Sequence, residues 1–225
     1  MHVPPHANRT PEQIVGSERK FDSAWHFWQS LSWLDYAKRN ISITALQYAA
    51  LELRFGIEHL WFDIIVTTLG GRLDVDEYSR CKGNRTKMYK ILDRLSPDHE
   101  KLVRFTNICG SLDRRQPPLI EWDMPRLKRL HGETSENLLH FLGIPNETTD
   151  RPEWFVETLT LLETGVNYIW HCLRTARTGQ LDIDSMPPEV RQAWEDFRSG
   201  QIDEDSVRTR LRLSTPVLRK RRIDG

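Results

Sequence analysis

The chain has 225 residues, of which 38% are hydrophobic and 28% charged, a composition typical of a soluble globular protein with one main core. Its net charge is zero, so the molecule as a whole has no field that would steer it onto nucleic acid or a membrane. Its three widely spaced cysteines argue against a disulfide framework.

The sequence shows neither a membrane span nor a signal peptide. No apolar run approaches the ~18 residues needed to cross a bilayer, and the polar opening segment 1–13 lacks the charged and then apolar pattern of a leader. We therefore expect a cytoplasmic protein with no membrane contact. Clusters of small, polar and proline residues predict three parts, namely a lead-in (1–17), a helical domain (18–178) and a small charged appendage (179–225).

Two long helices are predicted first. One spans about 18–38 and carries a bulky aromatic side, and the second spans about 41–69 and ends at Gly70-Gly71. Asn40 lies between them as a break, so the two should form an antiparallel hairpin. The second helix has one continuous apolar face, with residues spaced alternately three and four apart: Ile43, Leu46, Ala50, Leu53, Ile57, Leu60 and Ile64.

Shorter helices should follow at about 88–95, 96–112 and 124–142. A last long helix is predicted from Pro152 to Thr175, and it repeats the same spacing in Phe155, Leu159, Leu162, Val166, Ile169 and Leu173. Two such faces predict that these long helices pack together. Two short helices, around Trp194 and Leu211, should complete the chain. The prediction is thus an all-α helical bundle with two long core helices and short C-terminal helices.

The second long helix also carries an unusual group of ionisable residues among its apolar positions. These residues are Glu52, Arg54, Glu58 and His59. Such groups are costly to bury unless they are paired or used in chemistry. They are therefore the first candidates for a functional site.

Two segments resemble the HEPN superfamily of compact helical domains. Residues 49–60, AALELRFGIEHL, resemble its arginine- and glutamate-bearing helix, and residues 131–140, HGETSENLLH, resemble a later helix with a serine and a histidine. Arg54 and His59 match the family spacing of an arginine, four to six residues and a histidine. The resemblance implies a HEPN-like fold, a homodimer and, in active members, metal-independent RNA cleavage without a cofactor.

The resemblance also implies roles for individual residues. Arg54 would stabilise charge on a phosphate, and His59 or His140 would transfer the proton of an RNA 2′-hydroxyl. Supporting or structural roles would fall to Glu52, Glu58, His131 and Ser135. No metal-binding residues are expected. Because residues five apart on a regular helix point about 140° apart, Arg54 and His59 would meet only on a distorted helix or across two subunits.

A structural alternative stays open for the same helix. Arg54 and Glu58 lie four residues apart, the spacing of an ordinary intrahelical ion pair. If that pair were fully buried, removing Arg54 should destabilise the fold by roughly 3–5 kcal/mol.

Basic residues are concentrated in two segments. These residues are Arg80, Lys82, Arg85 and Lys87 in the middle of the chain, and Arg219, Lys220, Arg221 and Arg222 near its end. Such runs can bind RNA phosphates through counterion release. They can equally be solvated, or pair with the acidic stretch at 182–205.

Two hypotheses about function follow. In the first, the chain is an RNA-directed, HEPN-like module of a prokaryotic defence or toxin-type system that acts as a metal-independent endoribonuclease. In the second, it is a non-catalytic helical domain that dimerises or docks a partner protein, with Arg54 and Glu58 as a structural pair.

Overall fold

A computed structural model describes residues 23–69, 75–83, 87–112, 118–139, 152–176 and 183–223. At positions 66, 75, 81–83, 137, 184 and 214–223 it describes the backbone alone. The helices of these ranges are α1 (Ser23–Asn40), α2 (Ile43–Leu69), α3 (Val75–Gly83), α4 (Met88–Leu95), α5 (His99–Ser111), α6 (Met124–Thr134), α7 (Pro152–Thr175), α8 (Pro188–Arg198) and α9 (Glu204–Ile223).

The predicted all-α fold is confirmed, since the described ranges contain helices and no β-strand. A π-helical turn (Ser135–Leu139) extends α6, and a 3₁₀ turn (Ile183–Ser185) precedes α8. Within these ranges, none of the helices combines the length and the apolar character needed to cross a membrane.

The predicted antiparallel hairpin of α1 and α2 is present. Its turn places Ile41 at a φ of +48°, and the Ser42 hydroxyl accepts a hydrogen bond from the Ala45 amide to cap α2. Further along the pair, Ser30 Oγ donates to the Ala49 carbonyl at 2.8 Å. The first turn of α1 reaches the last third of α2, where Ser23 Oγ donates to Asp63 at 2.7 Å.

The two predicted apolar faces form the main core. In α2 every residue of its face is buried except the half-buried Ile43, and in α7 every residue is buried except the half-buried Leu173. Helix α7 packs against both α1 and α2. The apolar periodicity therefore identified the core sides of both long helices correctly, because a helix gains most by burying one continuous face.

A second hydrophobic cluster joins the middle of the chain to its C-terminal part. Phe105 of α5 packs on Trp194 of α8, with ring centroids 5.4 Å apart. Val207 and Leu211 of α9 complete this cluster. Segment 183–211 therefore packs on α5, which belongs to the predicted helical domain.

The elements differ from the sequence prediction in two places. Helix α3 was not predicted, since segment 75–83 lacks an apolar face of useful length. The α-helix predicted at 124–142 ends at Thr134 and continues as the π-helical turn, while 140–142 lie outside the described residues. The predicted start of the first helix at 18–22 also lies outside them.

Candidate functional site: the polar groups of helix α2

Helix α2 is an uninterrupted α-helix, and this geometry separates Arg54 from His59. The helix runs regularly through Gly56, so these two side chains point about 140° apart. Phe55 lies between them around the helix and is 40% exposed. Within one chain, Arg54 and His59 therefore occupy opposite flanks of an outward-facing side of α2.

On one flank, a single carboxylate accepts hydrogen bonds from two other side chains. Glu58 Oε1 accepts hydrogen bonds from Arg54 Nε at 3.1 Å and from His131 Nε2 at 2.8 Å. The exposed fractions of these side chains are 38% for Arg54, 33% for Glu58 and 9% for His131. The intrahelical contact expected of Arg54 and Glu58 is present, and the third member comes from α6. We call these three residues the Glu58 network.

The Glu58 network favours the ionised form of its carboxyl group. The hydrogen bond from His131 lowers the pKa of Glu58, and the hydrogen bond and positive charge of Arg54 lower it further. Partial burial acts in the opposite direction but does not outweigh these effects. Glu58 is therefore a charged acceptor that holds α6 against α2.

The sequence of α6 explains how His131 reaches Glu58. Asp123 caps this helix by accepting the Arg126 amide at 2.9 Å, and one face of α6 buries Leu127, Leu130 and His131. The ring of His131 lies 5.2 Å from the buried ring of Trp61, measured between centroids.

The π-helical turn begins directly after this contact. At Ser135 the hydroxyl donates to the His131 carbonyl at 2.7 Å. Such back-bonding satisfies a carbonyl near the point where the α-helical hydrogen-bond pattern ends. Ser135 thus supports the backbone of His131 and lies beside the Glu58 network.

The other flank of α2 carries a second polar group. His26 Nδ1 of α1 donates to Glu52 Oε2 at 2.7 Å, and the rings of His26 and His59 lie 4.8 Å apart between centroids. The ring of Phe55 contacts His26 edge-on at 5.9 Å. His59 is thereby packed against α1, whereas Arg54 faces α6.

Only two of the remaining predicted site residues have side chains that the structure describes. Arg80 of α3 and Lys87 before α4 are exposed. His140 and Arg85 lie outside the described residues, as do the side chains of the other predicted RNA-binding residues: Lys82, Arg219, Lys220, Arg221 and Arg222. Their roles stay predictions.

Sequence reasoning missed His26 and gave His131 only a supporting role. Both are direct partners of the α2 carboxylates. The antiparallel hairpin could have pointed to His26, because it places the first half of α1 beside the part of α2 that carries Glu52 and His59. No local pattern distinguishes His131 from His140. Within the described ranges, no group of three or more His, Cys, Asp or Glu side chains could hold a metal ion.

Comparisons with protein-family models, with curated proteins and with solved structures found no match to this chain. The resemblance to HEPN domains therefore rests on the two sequence segments alone. The geometry allows two kinds of role for α2. The Glu58 network can join helices, and Arg54 and His59 can each contact a molecule bound over Phe55.

Proposed function

We propose that this chain is a helical interaction module that forms a homodimer through α1 and α2, with the Glu58 network in a structural role. The observation that carries this proposal is the division of α2 into two kinds of surface. Its carboxylates Glu52, Glu58 and Asp63 accept hydrogen bonds from α1, α2 or α6. Its most outward side is apolar.

The apolar side belongs to a group of aromatic and aliphatic side chains on α1, on α2 and in the turn between them, which we call the hairpin patch: Trp33, Tyr36, Ile41, Tyr48 and Phe55. Of the large hydrophobic side chains that are exposed among the described residues, most belong to this patch, with Ile41 at 75% and Tyr48 at 48%. The ring of Trp33 contacts both tyrosines, with centroids 6.3 Å from Tyr36 and 5.1 Å from Tyr48. Grouped exposed apolar side chains of this kind are typical of interaction sites.

The spacing within the hairpin patch favours a second copy of the same helix as its partner. Tyr48, Phe55 and half-buried Phe62 recur every seven residues along α2, and Ile41 lies in the turn just before this helix. A seven-residue repeat keeps one side of a helix facing a neighbouring helix along its length. A two-fold axis would then cover the patch on both copies at once.

Sedimentation of the wild-type chain and of the double variant Tyr48→Asp/Phe55→Asp tests this proposal. We expect a wild-type dimer and a monomeric variant with unchanged helical circular dichroism. Val156→Asp is the matched control, because Val156 is an exposed apolar residue of α7 outside the patch. A wild-type chain that stays monomeric at high micromolar concentration, or a Val156→Asp variant that dissociates equally, would refute the proposal.

A second candidate function is metal-independent RNA cleavage at a site shared by two subunits. It is favoured by the placement of Arg54 and His59 on opposite flanks of the hairpin patch. If two copies pair with their α2 helices parallel, the Arg54 flank of one faces the His59 flank of the other. Arg54 would then stabilise phosphate charge, and His59 would accept the 2′-hydroxyl proton. This is the RNA-directed, HEPN-like reading of the sequence.

Mixing two inactive variants tests the shared site in the presence of EDTA. Arg54→Ala and His59→Ala should each abolish RNA cleavage alone. Random exchange of their subunits should restore about one quarter of wild-type activity, because half of the dimers then contain one intact site of two. Intact RNA after incubation with wild-type protein would refute cleavage. Loss of activity in His140→Ala, with no recovery in the mixture, would instead favour His140 as the proton acceptor.

A further inference from the structure

A cavity of about 660 Å³ opens between helices of the main core and α5 of the second cluster. The described residues that line it come from the start of α1, the second half of α2, the start of α5, segment 119–124 and the end of α7. None of these residues belongs to the hairpin patch or to the Glu58 network, so the cavity is independent of the functions proposed above. Cavities of this size are typical of small-molecule sites.

The walls of the cavity are mainly apolar and include three aromatic rings. These are Phe62 of α2, Trp122 before α6 and Trp170 of α7, and each of them is half-buried. Leu60 and Ile64 contribute aliphatic surface. A ligand with a flat apolar ring would bury much of its surface against these side chains.

The accessible polar groups of the lining that have no protein partner are mainly hydrogen-bond donors. Arg104 of α5 and Arg174 of α7 are exposed, and in the described part of the chain neither guanidinium forms an ion pair or a hydrogen bond. The indole N–H groups of Trp122 and Trp170 likewise have no acceptor there, and both reach solvent. Unmatched donors of this kind favour a ligand that brings acceptors.

The acceptors of the lining are engaged, buried or exposed at its edge. Asp63 and Glu121 already accept hydrogen bonds, from a serine of α1 and an asparagine of α5, at 2.7 Å each. Glu100 is exposed in the first turn of α5, where the helix N-terminus stabilises its charge. His99 Nε2 has no partner among the described residues, but it is buried beneath the wall and a ligand in the cavity does not reach it.

Helix α7 places an aromatic ring and a positive charge one turn apart in the lining. Trp170 and Arg174 are four residues apart, so their Cβ atoms lie about 5–6 Å apart on one side of the helix. A ligand ring that packs on Trp170 would therefore bring a carboxylate to Arg174 if one or two bonds join the ring to the carboxylate. A guanidinium can bind a carboxylate through two parallel hydrogen bonds.

We propose that this cavity binds a small aromatic carboxylate, with its carboxylate at Arg174 and its ring against Trp170. Arg104 adds a second positive charge from α5. The apolar walls exclude water from one side of the ion pair, so the attraction is stronger there than in open solvent.

Calorimetric titration of the full chain with 2-naphthylacetate and with 2-(2-naphthyl)ethylamine tests the proposal, because these probes share a ring and carry opposite charges. We expect the carboxylate to bind about fivefold more tightly than the amine, the factor that one partly exposed ion pair supplies. Arg174→Gln should weaken the carboxylate about fivefold and leave the amine unchanged or tighter. The control Arg129→Gln removes an exposed cation of α6 outside the cavity and should change neither affinity.

A filled cavity provides the second comparison. Val103 is a half-buried residue of the wall, and Val103→Trp should abolish binding of 2-naphthylacetate while the helical circular dichroism stays that of the wild type. No binding of 2-naphthylacetate at millimolar concentration, an amine that binds as tightly, equal losses in Arg174→Gln and Arg129→Gln, or full binding by Val103→Trp would overturn the proposal. If Val103→Trp does not fold, the two probes on the wild-type chain and on Arg174→Gln still decide.

Discussion

Replacing Glu58 with alanine removes the carboxylate that receives hydrogen bonds from both Arg54 and His131. The ring of His131 is nine-tenths buried, so its Nε2–H loses an acceptor where water hardly reaches, at a cost of about 1–3 kcal/mol. Arg54 and Glu58 are each about one-third exposed, so solvent screening leaves that ion pair worth ~0–1 kcal/mol. We therefore expect Glu58→Ala to lower the free energy of unfolding by about 1–4 kcal/mol.

Urea denaturation followed by circular dichroism measures this loss, and double-mutant cycles divide it between the two contacts. The coupling of Glu58 with His131 should be about 1–2 kcal/mol, and that with Arg54 under about 1 kcal/mol. Arg54→Ala alone should thus cost well below the roughly 3–5 kcal/mol expected of a fully buried pair. The exposure of Arg54 is the physical reason for this smaller figure.

Glu163 supplies a matched control. Its side chain is 34% exposed, like that of Glu58, but its partner Lys38 is 61% exposed and lies 3.1 Å away. Glu163→Ala should cost less than about 1 kcal/mol, because its partner remains solvated. A loss in Glu58→Ala no larger than in Glu163→Ala, or a stronger coupling to Arg54 than to His131, would refute the reasoning.

Three further predictions concern pH and the two cores. The pKa of Glu58 in the folded state is lowered from its ordinary value of 4.5. The ionised carboxylate therefore stabilises the fold fully well above pH 4.5, and this stabilisation is lost as the pH falls through the lowered pKa. The Tm difference between the wild type and Glu58→Gln should shrink accordingly in acid. Gly56→Ala should lower the free energy of unfolding by about 1–3 kcal/mol although alanine has the better helix propensity, because the added Cβ would lie 2.6 Å from the buried ring of Phe27. Urea denaturation should show that Phe27→Leu partly restores this loss. Trp194→Ala should lower the free energy of unfolding by about 3–5 kcal/mol in the same assay, since it removes a ring packed on Phe105. A loss below about 1 kcal/mol would mean that the second cluster adds little to the stability of the fold.

The apolar faces of α2 and α7 could be predicted because they depend on a local property, the 3.6-residue turn. A residue such as Leu53 or Val166 is buried whichever neighbour covers it. The same reasoning gave the turn at Asn40 and the limits of α7. It missed α3, because that short helix has no apolar periodicity to distinguish it from a loop.

The polar contacts between helices depend on the axial position of one helix relative to its neighbour. His59 and His140 were the predicted candidates to act with Arg54, and His131 was given only a supporting role. Helix α6 packs on α2, and its Leu130 also packs against α7, where a Cβ on Gly165 would lie 2.6 Å from Leu130 Cδ2. That packing places His131 at Glu58. The sequence pattern does not specify this axial position, so the histidine that contacts Glu58 could not be predicted from the sequence.

By itself the amino-acid sequence determined that the chain is all-α, which sides of its long helices are buried, and that α2 carries charges among its apolar residues. These follow from helical periodicity and from the cost of burying charge. Only the tertiary structure decided that Glu58 joins Arg54 to His131, that Glu52 belongs to His26, and that the C-terminal helices pack on α5. The contacts of His131, of His26 and of the C-terminal helices join residues distant in sequence, and these partners are determined by the fit of packed side chains.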